Sequence, residues 1–334
     1  MPRLNSSYDP PFYFKNGHIQ TVLPTLLRKI DHIHYRRERI FTPDDDFLDL
    51  DWSASGSDRL MIISHGLEGH SNRHYIKGMV AHANRHGWDA CAWNMRGCSG
   101  ETNRKPYMYH SGVSHDLDHV VRHILKAYNY EEIFFAGFSL GGNVTLKYFG
   151  EYGTDLPETV TGAVAISVPV DLTSSSYQLA RAINRPYISR FLKMLKRKIE
   201  IKEQYYPDLI SSKPFDEIYD FKGFDDTYTA PLHGFLNAED YWRKASSLPY
   251  LEDIRHPVLL INAADDPFLT PACYPGELAG NHEHLYLEVP DHGGHAGFVD
   301  DSLTGVYWSE KRTMQFIREI RQMKSHKKRV TSPH

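Results

Sequence analysis

The stretch IFFAGFSLGGNVTLKYFGEY (133–152) decides how this chain is read. IFFAGF is a short apolar run of the kind a buried parallel strand needs, and GNVTLKYFGEY has the spacing of a helix. Gly-Phe-Ser-Leu-Gly stands directly between them. A serine at the tip of so sharp a strand-to-helix turn is held in a strained conformation, with its hydroxyl aimed beyond the carboxyl edge of the sheet. Gly137 and Gly141 flank Ser139 and leave room for strand and helix to approach. A glycine-rich turn with an incidental serine is the plainer alternative. It does not explain why strand and helix abut the motif on both sides.

Working outward, the same alternation recurs. RLMIISHG (59–66), DACAWN (89–94), GAVAISVPV (162–170) and PVLLINA (257–263) are buried runs, and HLYLEV (284–289) alternates as an edge strand does. RHYIKGMVAHANRH (73–86) and SHDLDHVVRHILKAY (114–128) have helical periodicity. Gly87 stops the first, and Ser114 is the expected N-cap of the second. RRERIF (36–41) and FLDLDW (47–52), joined by TPDDD, form an antiparallel start. The predicted fold class is α/β: a mostly parallel central sheet with helices on both faces. Its core spans 1–171 and 251–324, with an irregular Pro-, Tyr- and Phe-rich arm over 1–35. Residues 172–250 have helical pieces but no β-α unit and are expected to form a cap insertion. An amphipathic helix closes the core at 304–323, and 325–334 are expected to be a solvated tail.

Composition narrows the function classes. The chain has 334 residues, 41% hydrophobic and 24% charged, with a formal charge of −4. That is globular composition with no basic excess, which argues against nucleic acid as a partner. Cys91, Cys98 and Cys273 make neither a disulfide framework nor a CxxC metal knuckle. Neither a signal peptide nor an apolar run of the ~20 residues a membrane span needs is present in the sequence. The expected location is cytoplasmic, and no cofactor or metal is expected.

A serine hydroxyl needs a base, and the base needs an orienting acid. In this architecture the chain order is Ser, acid, His. PVLLINAADDPFL offers Asp265 and Asp266 at the end of a late strand. Asp266 is preferred on spacing, and Asp265 is then expected to face solvent or cap a turn. DHGGHAGF (291–298) offers His292 and His295. His295 sits further into the glycine-rich loop and is preferred, with His292 as a turn residue or substrate neighbour. Developing oxyanion charge needs backbone N–H donors, each worth roughly 3 kcal/mol. Leu140 follows the nucleophile, and Leu67 lies in HGLEG (65–69) after an early strand.

The chain resembles the YheT-like α/β hydrolases, the AB hydrolase 4 family. The resemblance is carried by NGHIQTVLP (16–24), SHGLEGHSNRHY (64–75), NMRGCSGETN (94–103), YHSG with the following Asp116, GFSLGGN (137–143), NAADDPF (262–268) and HGGHAGF (292–298). It implies an α/β-hydrolase fold and a hydrolase of esters or lipids, with Ser139, Asp266 and His295 as its triad. The substrate so implied is a small ester or acylglycerol-like molecule. An acyltransferase using the same triad, or a non-catalytic small-molecule binder, are the alternatives.

Other signals have plainer readings. His32/His34 and His282/His284 lack a third ligand at suitable spacing and read as surface histidines. Arg96 reads as a buried loop-fixing residue in preference to a head-group ligand. Cys98 reads as a small packed residue. INRPYISRFLKMLKRKIEIK (183–202) carries Ile188, Phe191, Leu192, Leu195 and Ile199 on one face. It is read as a cap helix laying that face over the cleft, with peripheral membrane contact as the other reading.

Overall fold

A computed structural model describes residues 3–331, with side chains described for 4–323. Nine strands form one sheet in the order β1-β9-β8-β7-β6-β4-β5-β3-β2. The strands are β1 (Arg3–Leu4), β2 (Arg36–Phe41), β3 (Phe47–Ser53), β4 (Arg59–Ser64), β5 (Asp89–Asn94), β6 (Glu132–Phe138), β7 (Val160–Ile166), β8 (Val258–Ile261) and β9 (Leu285–Glu288). Among the described residues, only the β2–β3 and β3–β5 pairings are antiparallel. The central strands β4, β6, β7 and β8 are buried along nearly their whole length, as apolar runs covered by helices on both faces must be.

The helices α2 (His74–Arg85), α3 (Ser114–Ala127), α4 (Leu140–Tyr152), α10 (Gly276–Asn281) and α11 (Trp308–Thr331) flank the sheet, and α1 (Gly17–Leu27) precedes it. Between β7 and β8 the chain makes α5 (Leu172–Leu179), α6 (Arg185–Tyr205), α7 (Phe221–Phe224), α8 (Ala230–His233) and α9 (Ala238–Ala245), and adds no strand to the sheet. On α6, Ile188, Leu192, Leu195 and Ile199 are buried, so the apolar face read from sequence is turned inward. The outward face holds exposed Arg190, Lys193 and Arg197.

Several expectations need correction. The arm is not irregular: Asn16 caps α1 by accepting from the Ile19 N–H, and Pro24 is accommodated inside the helix. Its Gly17 and Pro24 hide the pattern by which helices are recognised. β1 was equally invisible, because two residues carry no periodicity; it pairs in parallel with β9. β9 is therefore not the edge, and all four of its residues are buried. Its alternation reflects Glu288, which accepts from Arg312 Nε at 2.7 Å in the interior. Ser114 opens α3 and does not cap it; its hydroxyl bonds Glu151 on α4. The closing helix begins at Trp308 and continues to Thr331, through most of the segment read as a tail. Lys and Arg there are good helix formers. Positions 332–334 lie outside the described residues.

Candidate active site

The site starts from the turn between β6 and α4. Ser139 has φ 53° and ψ −121°, a region that costs a residue with a side chain on the order of 1–3 kcal/mol. Its neighbours offset that strain. The Ser139 N–H donates to the Ile166 carbonyl at 2.8 Å, and its carbonyl accepts from the Asn143 N–H at 3.0 Å. A Cβ on Gly137 would lie 2.7 Å from the Gly141 carbonyl oxygen, and one on Gly141 would strike the carbonyls of Ser64 and His65. Both positions therefore require glycine, and the elbow is wedged directly against the end of β4.

The loop after β4 closes over it. A Cβ on Gly66 would sit 3.1 Å from the Ser139 Cβ. His65 fixes this loop, a role the sequence reading did not assign. The Met95 N–H donates to His65 Nε2 at 3.1 Å, so the ring proton is on Nδ1 and donates to the Gly66 carbonyl at 2.8 Å. Burial pushes the His65 pKa down to about 3, keeping the ring neutral. The Gly66 N–H donates to the Tyr75 hydroxyl at 3.2 Å. Leu67 and Leu140, the two expected amide donors, line the same cavity as Ser139.

The other side of the site comes from the loops after β8 and β9. His295 Nε2 lies 2.8 Å from Ser139 Oγ, and its Nδ1 lies 2.9 Å from Asp266 Oδ2. A carboxylate only accepts, so Nδ1 carries the proton and Nε2 faces the serine as acceptor. The Asp266 side chain is fully buried and also accepts from the Phe268 N–H at 2.9 Å. The Phe268 ring lies 4.2 Å from the imidazole. Ser139, Asp266 and His295 are thus brought together.

The remaining pair is not idle. Asp265 is half-buried and accepts from the Gly294 N–H at 2.8 Å, at the start of the turn over 294–297, so of its two expected places it takes the turn and not the solvent. His292 Nδ1 approaches its other oxygen at 3.5 Å. The arm helix completes the clamp. The Thr21 hydroxyl accepts from the His295 N–H at 2.9 Å and donates to the Gly17 carbonyl at 2.6 Å. Gln20 accepts from the Val299 N–H at 2.9 Å. The sequence motif NGHIQT signalled something here, but only the fold reveals that its target is the histidine loop.

Above the serine, the cavity is walled by Leu172, Leu179, Phe191, Leu195, Phe221 and Phe224, all from the segment between β7 and β8. Polar residues of its lining include His110, Asp225, Thr229 and His233, together with Arg73 and Arg190. Burial holds His233 down at about 4 and His110 well below its usual range, so both are neutral acceptors or donors. Burial pushes Asp225 up to about 7, against the opposing bonds from Thr229 and Trp242. Asn143 ties this upper layer to the elbow. It donates to the Ser111 and Ala245 carbonyls at 2.9 and 2.8 Å and accepts from the Ser247 N–H at 2.8 Å.

Arg96 is a structural residue, as expected. Its guanidinium makes paired 2.8 Å bonds to Asp116 and reaches Asp44 and Asp46 at 2.7 and 3.1 Å, joining the loop after β5 to the β2–β3 loop and to the first turn of α3. Burial pushes the Cys98 thiol up to about 11, consistent with a packed and unreactive group. Among the described residues no helix is long and apolar enough to cross a membrane.

The sequence profile for the alpha/beta hydrolase fold matches residues 59–302. The YheT protein of Escherichia coli (strain K12) is 33% identical over 328 residues, covering 96% of each chain. A human protein named monoacylglycerol lipase ABHD2 is 26% identical, over 98% of this chain and 83% of its own. Among solved structures, an esterase of Pyrococcus furiosus superposes with a TM-score of 0.55 over 87% of this chain and 90% of its own, at 18% identity. That last likeness speaks to the fold alone.

Proposed function

This chain belongs to the alpha/beta hydrolase family, in its YheT-like branch, and from that premise we propose that it hydrolyses carboxylic esters through Ser139, His295 and Asp266. That it is an ester-hydrolysing enzyme agrees with relatives named as monoacylglycerol lipases and phospholipases. The observation that carries the triad is the unbroken chain of contacts from Ser139 Oγ to His295 Nε2 at 2.8 Å and from His295 Nδ1 to Asp266 Oδ2 at 2.9 Å.

In this reading His295 takes the Ser139 proton as Oγ attacks the ester carbonyl. The carbonyl oxygen gains charge facing the Leu67 and Leu140 amides. The tetrahedral intermediate collapses, His295 hands the proton to the departing alkoxide, and an acyl-enzyme remains. Water, deprotonated by the same imidazole, attacks the acyl carbon. The acid leaves and Oγ recovers its proton. Asp266 keeps the ring in the tautomer that accepts from serine and balances the imidazolium charge. Residues 172–250 act as a cap. Its apolar walls suit an acyl chain, and the neutral His110 and His233 suit the less apolar part of an acylglycerol-like ester.

The test is direct. We expect Ser139→Ala to lower hydrolysis of a short-chain nitrophenyl ester by on the order of 10³-fold or more. A fluorophosphonate probe should label the native protein at Ser139 and leave the variant unlabelled. Near-normal turnover in the folded variant would refute the nucleophile.

A further inference from the structure

Glu68 is held more tightly than a surface loop residue needs to be. It directly follows Leu67 and adopts φ 52°, the left-handed region that a residue with a side chain avoids. Each of its polar groups is engaged. Its N–H donates to the Tyr109 hydroxyl at 2.8 Å, and that hydroxyl donates back to Glu68 Oε1 at 2.8 Å. Its carbonyl accepts from Arg73 at 2.8 Å. The Glu68 side chain is only 4% exposed, and among the described residues one cation reaches it: Lys198 Nζ, at 2.8 Å from Oε1. The same ammonium lies 3.2 Å from Cys98 Sγ and 5.1 Å from the centre of the Tyr109 ring.

Lys198 does not belong to the sheet or its flanking helices. It comes from α6, the helix whose buried face walls the cavity. A strained residue whose carboxylate is paired from another layer loses that restraint when the layer lifts, leaving Tyr109 and Arg73 to hold it. We propose that Lys198 is a positioning residue: by pairing with Glu68 it fixes the Leu67 amide, so that the oxyanion donor is in register only when α6 is down on the core. The pair also neutralises a carboxylate next to the place where negative charge develops. Unpaired, that carboxylate would oppose the oxyanion. This inference rests on Leu67 serving as a donor in the proposed reaction.

A second lysine supplies the control. Lys202, one turn further along α6, donates to the Asn103 carbonyl at 2.7 Å and does not touch Glu68. It anchors the same helix without reaching the oxyanion loop.

The experiment compares Lys198→Met, Glu68→Gln, their double variant and Lys202→Met on a soluble nitrophenyl butyrate, with fluorophosphonate labelling of Ser139 to establish that each site is assembled. A misplaced donor costs about 10- to 100-fold. We expect Lys198→Met to lower kcat by that factor with KM changed less than about 3-fold, and a boronic acid that forms a tetrahedral adduct to lose affinity in step. Glu68→Gln should resemble it, and the double variant should be no worse than the worse single. Lys202→Met should keep kcat within about 3-fold. The proposal is overturned by an unchanged kcat in Lys198→Met, by an effect confined to KM, by additive losses in the double variant, or by an equal loss of kcat in Lys202→Met. A labelled, active Ser139→Ala would instead strike the reaction itself.

Discussion

Two aspartate–histidine pairs lie side by side at the carboxyl end of the sheet, built from the same two loops. Asp266 and His295 meet at 2.9 Å, with side chains 0% and 11% exposed. Asp265 and His292 approach only to 3.5 Å and are 22% and 30% exposed. The first pair points across the site to Ser139. The second points back into the loop, where Asp265 takes the Gly294 N–H. The two carboxylates diverge from a turn closed by the Asp266 N–H donating to the Ala263 carbonyl at 3.2 Å, so one reaches the ring and its neighbour reaches the backbone that carries the ring. In the proposed reaction, chemistry and support thus fall to adjacent residues of the same type.

The sharpest way to break this division is to remove the first pair. We expect His295→Ala to match Ser139→Ala, a loss on the order of 10³-fold or more, with the double variant no worse than either. Asp266→Asn should also be severe, because an amide favours the wrong tautomer and cannot balance the imidazolium. Steady-state kcat on a soluble ester checks both.

Asp265 should separate its two substitutions. Asn can still accept from Gly294 and should cost only about 2-fold in kcat, whereas Ala leaves that N–H unpaired and should cost about 10-fold by loosening the His295 loop. If both were equally severe, Asp265 would hold a role beyond the backbone bond. The pair also carries a pH signature. Burial raises the Asp265 pKa above its usual carboxylate value, although the Gly294 bond and His292 pull the other way. A carboxyl raised in the fold binds its proton more tightly there than when unfolded. Its contribution to stability is therefore present below the usual carboxylate range and fades as pH climbs above it. Thermal melts taken below the usual carboxylate range, near pH 3, and at pH 7 should show Asp265→Asn gaining on the native protein at the higher pH. The smallest effect belongs to His292→Ala, which should stay within about 3-fold of native kcat. A loss near that of His295→Ala would reverse the assignment of the two rings.

The division also marks the limit of what the sequence makes legible. A strand, a glycine-flanked serine and a helix in direct succession are local, and Ser139 could be read at once. The inward face of α6 and the structural use of Arg96 followed from periodicity and from the needs of buried backbone. For Asp265 the sequence leaves solvent and a turn amide both open, because the choice depends on Gly294, which is far away in the chain. His65 looked like part of a loop motif, and its two bonds to Met95 and Gly66 emerge only when β4 and β5 are paired. The helix α1 was missed for the reverse reason. Its local signal is weak, and its partners, Thr21 to His295 and Gln20 to Val299, are supplied by the other end of the chain.

That last contact has a temporal consequence. The bonds Thr21–His295, Gln20–Val299 and Arg28–Glu310 close loops of 274, 279 and 282 residues. On a ribosome the elbow and its central strands emerge well before residue 295, so a nascent chain holds a strained serine with no base beside it. Helix α1 has Tyr8 and Tyr187 as earlier partners, but its bonds to the histidine loop and to α11 must wait until nearly all of these residues have been made. Contacts of such high contact order form late and slowly. In the proposed reaction the base is thus the last member of the triad to arrive, and an arm made before the sheet is among the last parts to find its place.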